Sequence, residues 1–379
     1  MSLGKTLILA HILSPAQFGV YGIAALTLSL LEVFTETGVN TVLIQLKQKA
    51  DDYIDSAWVV SIIRGALICI IMLLGANAVS TFFSIPESLN LIVLASAIPL
   101  IRGFINPSIV NFQKDLLFQK EFAYRTLVFG VDAVVSVSLA LITRNPESLI
   151  WGLLIGAGFE VILSHIIVSP RPRFVFQKEN LKLIIHRGKW MTATGILDYL
   201  VQNGDNMVVG KLLGSSSLGL YQMSYQVSTL PVTEISNILS KVTFPIFMKM
   251  SSDKARLRSA YYRVVLFIAG VVGFITVLIL LFSNVFLFIL GPQWTDIIPT
   301  IRILSIFAFF KSVILSSYAF FLAKGLQEHV SVISLTGFIS MFIVILPLVN
   351  TFGVNGAAYA ALFGSLVSIF PMIYYLRRT

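Results

Sequence analysis

The sequence predicts an all-α membrane protein with about a dozen transmembrane helices, and three observations lead to this prediction. Of the 379 residues, 56% are apolar and only 12% are charged, whereas charged residues make up about a quarter of a soluble protein. Apolar stretches of about 20 residues, the length that crosses a bilayer, recur along the whole chain. Lysines and arginines concentrate in alternate loops between these stretches.

Hydropathy places each helix, and the first is unusually short. At 1.5 Å per residue, 13 residues span about 20 Å of a hydrocarbon core about 30 Å thick. We therefore expect the first helix to be incomplete, with the chain truncated at its N-terminus. The predicted helices cover residues 1–13, 18–46, 56–84, 88–111, 121–143, 147–169, 187–213, 217–247, 259–290, 298–323, 329–350 and 355–376.

The net charge of +9 is best explained by membrane topology. Basic residues follow the even-numbered helices, for example Lys114 and Lys120 after the fourth, and Arg377 and Arg378 close the chain. By the positive-inside rule these loops and the C-terminus face the cytoplasm. We expect no nucleic-acid partner. The single cysteine, Cys69, excludes a disulfide framework.

An internal repeat divides the chain into two halves. The stretch LSPAQFGVY, from Leu13 to Tyr21, recurs as LGSSSLGLY from Leu213 to Tyr221. Because six crossings return the chain to the side it left, the halves are predicted to be parallel repeats, an arrangement typical of transporters. The predicted domains are a six-helix lobe over residues 1–170, a basic cytoplasmic linker over 171–187 and a second six-helix lobe over 188–379.

Acidic and amide side chains within apolar helices are candidate site residues, since they are costly to bury in a membrane. Glu32 and Glu36 lie four residues apart, on one helical face, where two carboxylates could share a proton. The alternative is a pair of structural carboxylates with basic partners or near the headgroups. The predicted seventh helix adds a polar group in which Asp205 is the strongest candidate, for cation coupling or sugar binding, unless it only stabilises helix packing. This group comprises Asp198, Gln202, Asn203, Asp205 and Asn206.

Basic side chains within the predicted helices would suit a substrate that carries phosphate, because both arginine and lysine form charge-assisted hydrogen bonds with it. The alternative is that some of them extend to the cytoplasmic headgroups. Histidine clusters and nucleotide-binding or zinc-protease signatures are absent from the sequence, so we expect no metal, no cofactor and no ATP-driven step. The basic candidates are Arg64, Arg102, Lys189, Lys241 and Lys311.

Several motifs, in matching order along nearly the whole chain, resemble the polysaccharide biosynthesis and export family. These are the Wzx-type flippases of the multidrug/oligosaccharidyl-lipid/polysaccharide superfamily. The motifs are the two copies of the repeat, Thr37-Gly38 with Leu43-Ile44-Gln45, Gly188-Lys189-Trp190, Asp205-Asn206, Val209-Gly210-Lys211-Leu212, Phe244-Pro245, and Leu290-Gly291 with Trp294.

The resemblance implies two lobes around a central, largely cationic cavity. It also implies alternating access that moves undecaprenyl-pyrophosphate-linked oligosaccharide from the cytoplasmic to the periplasmic leaflet of a bacterial inner membrane, for O-antigen, capsule or exopolysaccharide assembly. H⁺ or Na⁺ antiport is an implied driving force. We expect a monomer, with membrane lipids and glycan polymerase machinery as further partners.

Two alternative functions remain open at this point. A multidrug or cation efflux antiporter of the same superfamily would favour acidic and aromatic residues over basic ones in its cavity. A membrane glycosyltransferase or polymerase would need a sizeable catalytic loop outside the membrane, and the longest predicted connection is short and basic. We therefore expect a transporter rather than an enzyme.

Overall fold

The computed structural model of the chain describes residues 2–35, 43, 51–175, 178–250 and 253–378. Throughout these residues the regular structure is helical, without strands. Eight helices within this part of the chain are long and apolar enough to cross a membrane, or nine if the helices over 88–102 and 107–114, bent by 76°, form one span. This confirms a multi-span all-α protein; the arrangement of twelve helices in two lobes stays a prediction.

The first helices alternate long spans with short segments. A 3₁₀ turn lies at Pro107–Val110. In chain order they are α1 Ser2–Ile12, α2 Pro15–Phe34, α3 Asp51–Phe83, α4 Ser88–Ala95, α5 Ala97–Arg102, α6 Asn111–Lys114, α7 Phe118–Thr143 and α8 Glu147–Ile167.

The later helices begin with a long segment, α9, which is interrupted at Gly214. A second 3₁₀ turn, Pro292–Trp294, precedes α12. In chain order they are α9 Lys178–Lys249, α10 Lys254–Leu281, α11 Val285–Leu290, α12 Ile297–Ala323, α13 Gln327–Phe352 and α14 Val354–Arg378.

The two copies of the repeated motif make their turns with different chemistry. In the first copy Ser14 caps α2: its hydroxyl accepts from the Gln17 amide at 3.3 Å, and the Gln17 side chain accepts from the Ser14 amide at 2.9 Å. In the second copy Gly214 stands where Ser14 stands, with φ of +81°, a left-handed conformation that glycine adopts without steric cost. In both copies the turn ends one helix and starts the next.

Backbone contacts divide the chain into two compact units, Met1–Gly204 and Asp205–Thr379. The boundary falls within α9, whose first part belongs to the first unit: the buried Tyr199 hydroxyl donates to the Leu26 carbonyl of α2 at 2.7 Å. In the second unit, α12 is the most buried of the candidate spans. The predicted domain limits at 170 and 188 stay predictions.

Candidate functional site

A cavity of 340 Å³ within the first unit brings three predicted site residues together: Glu32 from α2, Arg64 from α3 and Arg102 from α5. Three further charged residues, which the sequence reasoning did not place in a site, also line it. They are Glu121 and Arg125 of α7, joined by a 2.8 Å ion pair, and Glu160 of α8. The cavity is therefore lined by charges of both signs.

Arg64 and Arg102 are held differently. Arg64 donates to the Glu32 backbone carbonyl at 2.6 Å and to the Thr35 hydroxyl at 3.2 Å, so its cation lies at the C-terminal end of α2, where the helix dipole favours positive charge. Arg102 approaches the Glu32 carboxylate only to 3.4 Å, and the two side chains are 41% and 33% exposed. A strong charge-assisted bond is nearer 2.8 Å. Arg102 is thus the less constrained cation.

Glu160 is half-buried, and its carboxylate accepts a hydrogen bond from an uncharged group in the cavity. The Tyr124 hydroxyl donates to its carboxylate at 3.4 Å. The sequence signal for Glu160 is a lone acid in an apolar helix. Among the described residues, no group of three or more His, Cys, Asp and Glu side chains could hold a metal ion.

In the second unit, Asp205 is 4% exposed and hydrogen-bonded on both carboxylate oxygens. One oxygen accepts from the Tyr221 hydroxyl at 2.7 Å; the other accepts from the backbone amide and side-chain amide of Asn206 at 2.7 and 3.1 Å. The Asn206 side-chain oxygen is itself buried with no hydrogen-bond donor. Buried polar atoms without partners are rare, so Asn206 marks a position where a donor or a cation would be stabilised.

Lys311 lies half-buried on α12 and is also surrounded by neutral groups. Its ammonium donates to the Tyr225 hydroxyl at 2.7 Å and lies 5.4 and 5.3 Å from the ring centres of Tyr225 and Phe307. The rings of Tyr221 and Tyr225 are 6.3 Å apart. Two neighbouring tyrosines therefore connect the Asp205 carboxylate to the Lys311 ammonium. We call Asp205, Asn206, Tyr221, Tyr225 and Lys311 the tyrosine-bridged cluster.

The other predicted residues of α9 do not join this cluster in the described structure. Asp198 and Gln202 are exposed, and Asn203 donates to the Tyr199 carbonyl at 3.2 Å. Lys189 and Lys241 lie on α9, but their side chains are outside the described part. Glu36 lies outside the described residues altogether.

Sequence reasoning missed an ion pair in the first unit. The Lys5 ammonium of α1 contacts both carboxylate oxygens of Asp132 on α7, at 2.7 and 2.8 Å, and the Ser136 hydroxyl at 3.4 Å. The Lys5 and Asp132 side chains are only 11% and 10% exposed. Asp132 is a lone acid within a long apolar stretch, which is the signal that should have drawn attention to it.

Helix α8 has a glycine, Gly152, where it packs against Asp132 and Ser136. A methyl group added at Gly152 would lie 1.9 Å from the Ser136 hydroxyl and 2.7 Å from the Asp132 carboxylate. Glycine is therefore required there for the close approach of α8 to the polar face of α7. We call Lys5, Asp132 and Ser136 the paired cluster.

Apolar spanning helices that enclose charged side chains define a multi-pass membrane protein, and its fold is that of known transporters. It is similar to the lipid II flippase MurJ, with a TM-score of 0.78 and 13% identity over 99% of this chain and 84% of MurJ. It is also similar to an inward-facing multidrug resistance MATE family transporter of the MOP superfamily, with a TM-score of 0.76 and 14% identity over 100% of this chain and 95% of the transporter.

The sequence comparisons identify the family. The polysaccharide biosynthesis protein family matches residues 8–299, and the chain belongs to that family. It is 24% identical over 317 residues to the lipopolysaccharide biosynthesis protein WzxC of Escherichia coli strain K12; the match covers 83% of this chain and 64% of WzxC. The chain thus matches less than two thirds of that relative's length. The resemblance drawn from the motifs is confirmed.

Proposed function

We propose that the protein is a flippase that moves an undecaprenyl-pyrophosphate-linked oligosaccharide from the cytoplasmic to the periplasmic leaflet of a bacterial inner membrane. Its product would serve O-antigen, capsule or exopolysaccharide assembly. The observation that carries the proposal, beside family membership, is Lys311: an ammonium on the most buried candidate span, bonded to a neutral phenol rather than to a carboxylate. Such a cation can still pair with a phosphate group.

The substrate's chemistry explains why cations would be retained inside apolar helices. Its polyprenyl tail can remain in the bilayer, whereas its pyrophosphate and sugars need a polar passage. We propose two six-helix lobes around that passage, with a cytoplasmic C-terminus and alternating access between the lobes. Arg64, Arg102, Lys189, Lys241 and Lys311 are the proposed phosphate-binding residues.

Coupling to H⁺ or Na⁺ antiport is proposed for the acidic and amide residues. Asp205 has the strongest support, because the neighbouring Asn206 oxygen lacks a donor and could accept one from a hydrated ion or contribute to a cation's ligands. Glu32, Glu36, Asp198, Gln202 and Asn203 are proposed contributors to the polar path. The proposal involves no cofactor and no covalent step. The protein is proposed to act as a monomer, beside glycan polymerase machinery.

The test is glycan export in a bacterial strain that lacks its own flippase and carries this chain. Lys311→Gln should reduce surface glycan at least tenfold, with lipid-linked precursor accumulating in the membrane. Lys120→Gln is the matched control, since Lys120 is exposed on α7 and outside the tyrosine-bridged cluster. Normal export by Lys311→Gln at equal protein level would contradict the assignment of Lys311.

A multidrug or cation efflux antiporter is the second candidate, favoured by the acidic and aromatic character of the tyrosine-bridged cluster. Under that function, Asp205→Asn should abolish efflux of a cationic dye while surface glycan is unchanged. Under the flippase function, dye efflux should match that of cells without the protein. Measuring both outputs in the same cells distinguishes the candidates.

A further inference from the structure

A second cavity, of 550 Å³, lies at one end of the second unit, where α10 begins and where α12 and α14 end. The loops at this end are those that the charge distribution predicts to face the cytoplasm. The cavity lies outside the tyrosine-bridged cluster, with which it shares no residue. Its volume is within the range of small-molecule sites, about 300–1,000 Å³.

The charged side chains that line this cavity are basic: Arg258 from α10 and Lys324 at the end of α12. Both contact aromatic faces. The Arg258 guanidinium lies 5.8 Å from the ring centre of Tyr262, and the Lys324 ammonium lies 5.0 Å from that of Phe320. No acidic residue is among the described residues of the lining. The aromatic rings attract both basic groups through cation–π contacts.

Apart from Ser259, the remaining lining consists of aliphatic and aromatic residues, two of which are buried. Phe320 and Tyr261 are each 3% exposed, and the Tyr261 hydroxyl is 2.8 Å from that of Ser317 on α12. Tyr262 is 47% exposed, and Leu376 of α14 also lines the cavity. The cavity therefore combines a positive rim with a partly exposed apolar wall.

This combination fits a ligand with an anionic head and a hydrocarbon body. Basic pockets between transmembrane helices on the cytoplasmic side are suited to lipid headgroups, and an arginine beside a lysine provides several donors for phosphate oxygens. A soluble sugar phosphate carries no hydrocarbon chain that could cover the apolar wall at Leu376 and Tyr262. We propose that this cavity binds the phosphate headgroup of an anionic phospholipid, with Arg258 and Lys324 as its phosphate ligands.

Lipid retention by the purified full chain tests the proposal. Native mass spectrometry in a neutral detergent would measure the binding of phosphatidylglycerol and, in parallel, of phosphatidylcholine. The unaltered protein should retain phosphatidylglycerol preferentially. The double variant Arg258→Gln/Lys324→Gln should bind it about tenfold more weakly, since each basic residue adds to the attraction of an anionic headgroup.

Arg256→Gln is the matched control. Arg256 is on the same helical turn and exposed, but it does not line the cavity, so its variant should bind phosphatidylglycerol as the unaltered protein does. Equal weakening by Arg256→Gln, or full retention by the double variant, would overturn the proposal. If the double variant does not fold, Arg258→Gln alone should weaken binding several-fold, and unchanged binding would count against the site.

A competition experiment distinguishes the two sources of a lipid phosphate. Undecaprenyl pyrophosphate is added to the protein loaded with phosphatidylglycerol. Under the proposal, the phosphatidylglycerol whose binding depends on Arg258 and Lys324 stays bound even when undecaprenyl pyrophosphate is in excess. Its displacement at a stoichiometric amount would assign the cavity to the polyprenyl lipid and overturn the phospholipid assignment. Glycan export by the double variant is measured separately, so failure of either proposal is recognised independently.

Discussion

The paired cluster of the first unit and the tyrosine-bridged cluster of the second stabilise their charged side chains in different ways. Lys5 and Asp205 occupy equivalent positions in the internal repeat, 200 residues apart. Lys5 meets an opposite charge, the Asp132 carboxylate, on both oxygens. Asp205 is bonded to the neutral groups of Tyr221 and Asn206, and Lys311 is bonded to the phenol of Tyr225.

The difference indicates different roles for the two clusters. A buried ion pair whose hydrogen bonds are satisfied has little left to offer a ligand, and removing one partner leaves an uncompensated charge. A carboxylate and an ammonium that are each hydrogen-bonded to phenols keep their charge available to a ligand. We therefore expect the paired cluster to matter chiefly for stability and the tyrosine-bridged cluster chiefly for transport.

The largest effect on stability is expected for Asp132→Ala. This change leaves the Lys5 ammonium buried without its partner, which costs about 3–5 kcal/mol in the free energy of unfolding. Unfolding of the purified protein by denaturant in detergent micelles measures the loss. The double variant Lys5→Met/Asp132→Ala should recover much of that stability because both charges are removed. A double variant no more stable than Asp132→Ala would contradict the pairing.

A smaller loss is expected for Tyr221→Phe, which removes the hydroxyl that donates to the Asp205 carboxylate. Hydrogen bonds to charged groups contribute about 1.5–3 kcal/mol, so the same unfolding measurement should show a loss of that size. Tyr359→Phe is the control, because Tyr359 is 42% exposed and should change stability by less than about 0.5 kcal/mol. Equal losses in the two variants would mean that the Tyr221–Asp205 bond contributes nothing measurable.

The sequence predicted the helices better than it predicted their polar partners. Apolar segments give a strong local signal, and the cap of α2 is also local, because Ser14 and Gln17 are only three residues apart. Hydropathy gave one helix over 88–111, whereas Pro107 within it, which removes a helical hydrogen bond, indicates the bend found between 88–102 and 107–114.

Lys5 and Asp132 are 127 residues apart, and no local pattern relates them. Asp205 was recognised as costly to bury, but its bond to Tyr221 depends on how α9 continues beyond the break at Gly214. Glu32 was predicted either to share a proton with Glu36 on its own helix or to have a basic partner. Glu36 lies outside the described residues, and the described contact of the Glu32 carboxylate is with Arg102 on another element. Helical spacing in the sequence predicts which side chains are neighbours on one helix. Contacts between helices depend on tertiary packing, which the spacing does not predict.

The smallest effect on stability, and a large effect on export, is expected for Arg102→Gln. The contact between Arg102 and Glu32 is 3.4 Å long and well exposed, and such pairs contribute about 0.2–1 kcal/mol. Export should nevertheless fall severalfold, because the change removes the less constrained cation of the first unit's cavity. Arg171→Gln, an equal change at an exposed arginine after α8, serves as the control. If Arg102→Gln instead destabilised the protein as strongly as Asp132→Ala, the first unit would carry two structural ion pairs, and Arg102 would no longer be a candidate for binding phosphate.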